Sequence, residues 1–297
     1  MSPPRRRIGI AGVIVVVVVA SILLVVVGVV LMMHFFGNHE FNDPPIVLHD
    51  IAWDVNPKHG YTVYILEAGE YVPYLVLTTD YNGDGHVLLL RKYLLDEMMI
   101  FNYLDDEIPK DLTWSIDFLP SYYRTSKIDT FLNGEFLDRL SSIEGIIVTS
   151  NIVVTHIYSI GRTGRRSQTI ERKVFLLSLM EVVGIENRIS VVEGRHLEYF
   201  RVRWQIFGDR RQDAMNLRIA TTVDGEHHFW WLRTSMNAGA NIIYAITSRG
   251  GLGGGDVGSQ MLGHPQRGVR PAFCLPRDVP IKEVEMDGRM VFVLDLG

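Results

Sequence analysis

The chain has 297 residues, 47% hydrophobic and 21% charged, with a formal net charge of −5 and a mean hydropathy of +0.13. That balance, with a single cysteine, excludes a multi-spanning transporter, a disordered chain, a collagen-like fibre and a disulfide-stapled mini-protein. The positive hydropathy has a local source in residues 8–33, where only Gly9, Gly12, Ser21 and Gly28 interrupt an apolar run.

At 1.5 Å per residue, residues 8–33 make a helix of roughly 39 Å, enough to cross a hydrocarbon core of roughly 30 Å with some tilt. Valine is a poor helix former in water, but in lipid a lone segment satisfies its backbone only as a helix. Arg5, Arg6 and Arg7 precede the run with no acid beside them, so the positive-inside rule keeps the N-terminus in the cytoplasm. A cleaved signal has a shorter apolar stretch and small residues at its cleavage site, whereas Met32, Met33, His34, Phe35 and Phe36 are bulky. The expected order is a cytoplasmic tail at 1–7, a transmembrane helix at 8–33, a turn-rich linker at 34–45 and an exported domain at 46–297, in a cell membrane crossed once. Residues 34–297 carry 34 acidic and 26 basic side chains, so no nucleic-acid groove is indicated.

Within the domain, 61–67, 71–79 and 86–90 are strand-like, and Gly69 and Asn82 to Gly85 punctuate them as an antiparallel meander. In 126–140 the period changes: Ile128, Phe131, Leu132, Phe136 and Leu140 recur every three or four residues behind Ser126 as N-cap, with Asp129 at the capping-box position. The spacing predicts one amphipathic helix. A strand is predicted at 146–157, a basic loop at 162–172, a short buried strand at 174–177, and a second capped helix from Ser178 to Glu181 onward. Strands are then expected at 229–233, 242–247 and 268–275, with a glycine-rich loop at 250–258 and a closing hairpin at Asp287-Gly288. Strands, then helices, then strands predict α+β, with helices flanking a mainly antiparallel sheet.

Asp80, Asn82 and Asp84 match the first half of a calcium loop, but Arg91 occupies the position of its bidentate acid. The same residues suit a tight hairpin, which is preferred, with Ca2+ as the alternative and otherwise no cofactor. Gly253, Gly255 and Gly258 spell a dinucleotide fingerprint without the helix it needs. Glu226, His227 and His228 read as a surface group, because neighbours in a strand face opposite ways. Trp230 and Trp231 are expected to send one ring into the core and the other over a helix or ligand. Arg233 and Arg270 are expected to pair with buried acids or stack on these rings. These four residues are the candidate ligand contacts. Cys274 reads as an inert packing residue.

Five ordered stretches, "HVLLLRKYLLD" (86–96), "SKIDTFLNGEF" (126–136), "KVFLLSLMEV" (173–182), "WWLRT" (230–234) and "GVRPAFCL" (268–275), resemble a bacterial family known as domain of unknown function 6273. The likeness spans about 61–294. The closing pattern is similar to the C-type-lectin-like fold of formylglycine-generating enzymes and bacterial or phage variable-binding proteins. It implies a looped ligand face at 233–242 and 250–267. One cysteine where formylglycine generation uses a pair speaks against that chemistry. The function expected is a membrane-anchored extracytoplasmic binding domain for a glycan, peptide or protein. The alternatives are an envelope hydrolase using Asp105, Asp106 and Glu107, and a scaffold subunit of a membrane complex.

Overall fold

A computed structural model describes residues 46–56, 61–103, 121–158, 164–184, 193–201, 210–236, 242–256 and 266–297. The predicted tail, apolar run and linker lie outside them. Strand β1 (Thr62–Glu67) buries alternate residues Val63, Ile65 and Glu67, and turns through Ala68 and Gly69 into β2 (Glu70–Thr78). The φ values of 52° and 92° at this pair belong to the tight hairpin turn whose twist suits antiparallel strands. After a short 3-10 turn at Tyr81–Gly83, β3 (His86–Arg91) returns along β2. Val87, Leu88, Leu89 and Leu90 are all fully buried, so this apolar run is covered on both faces.

The predicted helix at 126–140 forms as two, α1 (Lys127–Leu132) and α2 (Glu135–Arg139). Ser126 caps as expected, its Oγ accepting from the Asp129 N–H at 3.1 Å. The break follows from Asn133, whose amide pairs with the backbone of Val174 in both directions, donating at 2.9 Å and accepting at 3.2 Å. Gly134 then takes a non-helical turn. Strand β4 (Ser150–Tyr158) and β5 (Gly164–Arg172) make a separate two-stranded ribbon, and β6 (Val174–Phe175) follows. The predicted basic loop at 162–172 is therefore mostly a strand, and its last residue, Arg172, grips the buried Asp129 carboxylate through contacts of 2.6–2.9 Å. Helix α3 (Leu179–Val183) has the predicted capping box, with Ser178 Oγ accepting from the Glu181 N–H and the Glu181 carboxylate accepting from the Ser178 N–H.

Helix α4 (Arg210–Arg218) leads to the short pair β7 (Ala220–Thr221) and β8 (His227–His228). A three-stranded sheet follows, made of β9 (Trp230–Ser235), β10 (Ile242–Ile246) and β11 (Leu252–Asp256), with β10 in the middle. The glycine-rich segment is thus an edge strand for much of its length. A Cβ on Gly254 would stand 2.9 Å from Met236 Sδ and 3.3 Å from Ile242 Cγ2, so close packing selects glycine there. Strand β12 (Ala272–Pro276) enters the main sheet, and β13 (Ile281–Met286) and β14 (Arg289–Leu294) form the closing hairpin through Asp287 and Gly288, at φ 50° and 72°. The seven strands run β13-β14-β1-β2-β3-β12-β6, antiparallel except where β14 lies along β1. Lys282, Glu283 and Glu285 expose charge on the outer strand, which discourages edge pairing.

These elements correct the expected domain architecture, a C-type-lectin-like α+β fold with flanking helices, while the expected transmembrane helix at 8–33 lies outside the described residues. Strand predominates, the longest described helix has nine residues, and no helix among the described residues is long and apolar enough to cross a membrane. The sequence-based expectation failed where the 126–140 helix broke and where two presumed loops paired as strands.

Ser178 serves both the helix cap and the carbonyl of Glu193. Ser178→Ala is expected to cost about 1–2 kcal/mol, read as a lower urea midpoint with unchanged slope. An unchanged midpoint would show the cap to be dispensable.

Candidate functional site

Trp230 and Trp231 point to opposite faces of β9, as adjacent strand residues must, yet both are fully buried. The Trp230 indole N–H donates to the Arg218 carbonyl at 3.0 Å, and that of Trp231 to the Met99 carbonyl at 2.9 Å. Neither ring is offered to a ligand from the surface. Arg233, also fully buried, forms a two-pronged ion pair with Glu181 at 2.8 Å on each side. Its remaining donors go to the carbonyls of Val153, Leu176 and Glu193, so Arg233 is committed to holding the core.

Arg270 differs. It precedes β12, where Gly268 is fixed because a Cβ would come within 2.6 Å of Leu94. Its guanidinium lies 5.5 Å from the centre of the Trp230 ring. Nε donates to the Arg91 carbonyl at 2.8 Å and Nη2 to the Lys92 carbonyl at 3.2 Å, while Nη1 is buried without a hydrogen-bond partner. No carboxylate pairs with it among the described residues, and burial pulls its pKa down to about 10, with Tyr199 opposing the fall. It is therefore still charged at neutral pH, an expensive state for a group only 2% exposed.

Arg270 lines an open cavity of about 400 Å³. Tyr61, Tyr93 and Tyr199 supply aromatic walls, Leu75, Leu217 and Ile219 apolar ones, and Lys92 a second cation. Trp53, Tyr61 and Tyr199 brace one another edge to face with centroids 4.7–5.7 Å apart, which fixes that wall. Burial pushes the Tyr199 hydroxyl up to about 12, so it remains a neutral donor. The volume falls within the usual range for small-molecule pockets, roughly 300–1,000 Å³. A second cavity of about 230 Å³ lies beside Arg267, whose Nη1 is also unpartnered. That guanidinium is stacked near Phe229 and Trp231, at 4.9 and 4.7 Å from their ring centres, and the space is smaller.

The remaining candidates lie elsewhere in the fold. Asp80 Oδ1 accepts from the Gly85 N–H at 2.7 Å, and the Asn82 amide donates to the Asn151 carbonyl at 2.9 Å, so the Asp80, Asn82 and Asp84 segment closes the connection between β2 and β3. No group of three or more metal-ligating side chains occurs among the described residues. His228 contacts Glu226 at 3.3 Å beside exposed His227. Cys274 is buried, and burial pushes its thiol up to about 12, as suits an inert packing residue. Asp105, Asp106 and Glu107, and half of the presumed ligand loops (237–241 of 233–242 and 257–265 of 250–267), lie outside the described residues. Sequence reasoning singled out Arg270 but missed Tyr61, Lys92, Tyr93 and Tyr199. The available signal was Lys92-Tyr93, a cation and an aromatic directly after a strand with an apolar centre at 87–90.

The sequence model of a family described as domain of unknown function (DUF6273) matches residues 84–277, more than half of the chain. The chain belongs to this family. The match is narrower than the 61–294 likeness read from motifs, and takes in Lys92, Tyr93, Tyr199 and Arg270 of the cavity while Tyr61 and Leu75 fall before it. No curated protein and no solved structure matches.

Two outcomes follow for the core beside the cavity. Arg233→Met strands Glu181 uncompensated and is expected to cost about 3–5 kcal/mol in urea unfolding, most of it recovered in Arg233→Met/Glu181→Leu. Equal stability of the single and double variants would contradict this. Burial also raises the Glu193 carboxyl above its ordinary range, against the pull of Arg233 and of hydrogen bonds from Thr155 and Thr234. The folded chain then holds that proton more tightly than the unfolded one, whose value is about 4.3. Glu193 thus favours folding most below about pH 4.3, and this contribution declines as pH rises through the raised folded value. Glu193→Gln should remove that decline when urea midpoints are compared across this window; an identical slope in both proteins would reject it.

Proposed function

We propose that this chain is a non-catalytic binding domain displayed outside the cell membrane, attached through residues 8–33 with its N-terminus in the cytoplasm, and that its ligand site is the cavity beside Arg270. The observation that carries the binding reading is a solvent-open, aromatic-walled space beside a buried arginine that has no acid partner among the described residues. Membrane attachment is supported by the uncharged, predominantly apolar composition of 8–33 behind three arginines. A binding role rather than a catalytic one is supported by how the buried acids are used. Glu67 pairs with Arg91, Asp129 with Arg172 and Glu181 with Arg233, which leaves these carboxylates holding strands and helices together. An envelope-derived glycan or peptide is the expected kind of ligand.

Asn216 lies exposed at the cavity, so Asn216→Trp should plug it without disturbing the core. Envelope extract should raise the thermal unfolding temperature of the full-length protein in detergent and leave the plugged variant unmoved. An equal rise in both proteins, or none in either, would remove the cavity as the ligand site. Protease added to intact cells should cleave residues 46–297 from a membrane-retained N-terminal piece; full protection would reverse the proposed orientation.

A further inference from the structure

Resting on the cavity as the ligand site, we infer that the group it recognises is an anionic oxyacid, a carboxylate or phosphate carried on a body that packs against the tyrosines. Two cations, Arg270 and Lys92, line the space, and no Asp or Glu does so among the described residues. Among the described residues the other two buried arginines each hold a carboxylate: Glu67 on Arg91 at 3.0 Å, and Glu181 on Arg233 at 2.8 Å. Arg270 is the departure, because its partners are two carbonyls and the face of Trp230, all of them neutral. A buried cation without a counter-ion is costly, and an anion seated in the adjoining cavity would supply the missing charge.

The two cations divide the work. Arg270 is held rigidly behind the wall by its carbonyl contacts and acts through its field. Lys92 is half-buried, with its ammonium 5.6 Å from the centre of the Tyr93 ring, and has the reach to donate directly to an oxyanion. The side chains of Tyr61 and Tyr93, also half-exposed, offer ring faces for the ligand body, with Leu75 and Leu217 as apolar wall beside them. The fully buried Trp230 stacked on Arg270 is why a tryptophan strand and an arginine beside β12 occur together in this site although neither faces solvent.

Calorimetric titration of the full-length protein in detergent with phenyl phosphate, benzoate, inorganic phosphate and the neutral control benzyl alcohol tests this. Phenyl phosphate and benzoate should each bind at least about tenfold more tightly than benzyl alcohol, consistent with one charge-assisted hydrogen bond. Inorganic phosphate should bind more weakly than phenyl phosphate, since it leaves the tyrosine walls unused; equal affinity would assign the site to the free ion and overturn the need for a ligand body. Lys92→Met should weaken the aromatic anions roughly tenfold while leaving the thermal unfolding temperature and benzyl alcohol binding unchanged. Benzyl alcohol binding as tightly as the anions, or anion affinity unaltered by Lys92→Met, would overturn the inference while a response to envelope extract blocked by Asn216→Trp kept the cavity reading. Binding by none of the four probes would overturn it as well.

Discussion

The fold depends on the ion pair between Arg233 and Glu181, fully buried and made at 2.8 Å by both prongs of the guanidinium. Around it six segments meet. Arg233 belongs to β9 and donates to carbonyls of β4 and of the chain just after β6, while its own N–H reaches the Leu177 carbonyl at 3.0 Å. Glu181 belongs to α3 and also accepts from the Tyr81 hydroxyl at 2.7 Å, tying in the turn between β2 and β3. Glu193 completes the cluster through Thr155 on β4 and Thr234 on β9. With every donor of the arginine used, the desolvation that such a pair costs is largely offset, and its geometry admits one relative placement of these segments. The three-stranded sheet, the ribbon and the main sheet are consequently held by a polar centre as well as by apolar packing.

That centre explains why much of the secondary structure, and little of the tertiary arrangement, can be read from the chain. Strands β1, β2, β3, β9, β10 and β12 are legible because they are apolar runs between turn residues, and Ser126 and Ser178 announce helix starts whose hydrogen bonds form as the spacing requires. Strand β5 is not legible. Ser167, Gln168 and Thr169 are exposed in succession before buried Ile170, so the apolar alternation that identifies a strand is missing. Strand β11 is disguised by glycines that Met236 and Thr247 require through their closeness. The break in the 126–140 helix comes from an Asn133 contact with residue 174, which no window around 133 contains.

The cavity obeys the same limit. Arg270 sits in a recognisable motif, but Tyr61 and Lys92 lie more than a hundred residues before Tyr199, and the three are assembled only when the start of β1, the end of β3 and the short turn at Glu198–Phe200 pack together. What sequence reasoning could supply was the expectation that buried arginines would find acids or rings. Arg233 found an acid. Arg270 found a ring and nothing negative.

This contrast separates structural charge from available charge within one protein. Burial opposes ionisation at both arginines, yet Glu181 and Glu193 reverse its effect at Arg233, whereas at Arg270 only the Tyr199 hydroxyl opposes it and the pKa stays low, near 10. A fold that needed Arg270 only for packing would lose little by replacing a charged group with a neutral one of similar volume, since buried ionic groups are often no more stabilising than apolar substitutes. Keeping the guanidinium, fixing two of its nitrogens to carbonyls and setting it against an open cavity that no acid lines among the described residues instead leaves a positive field directed at that space, as the proposed ligand site requires. The same arrangement makes the main sheet a rigid backing for the guanidinium: Arg270 is pinned between the end of β3 and the start of β12, so its position is set by strands that are buried on both faces and have little freedom to move.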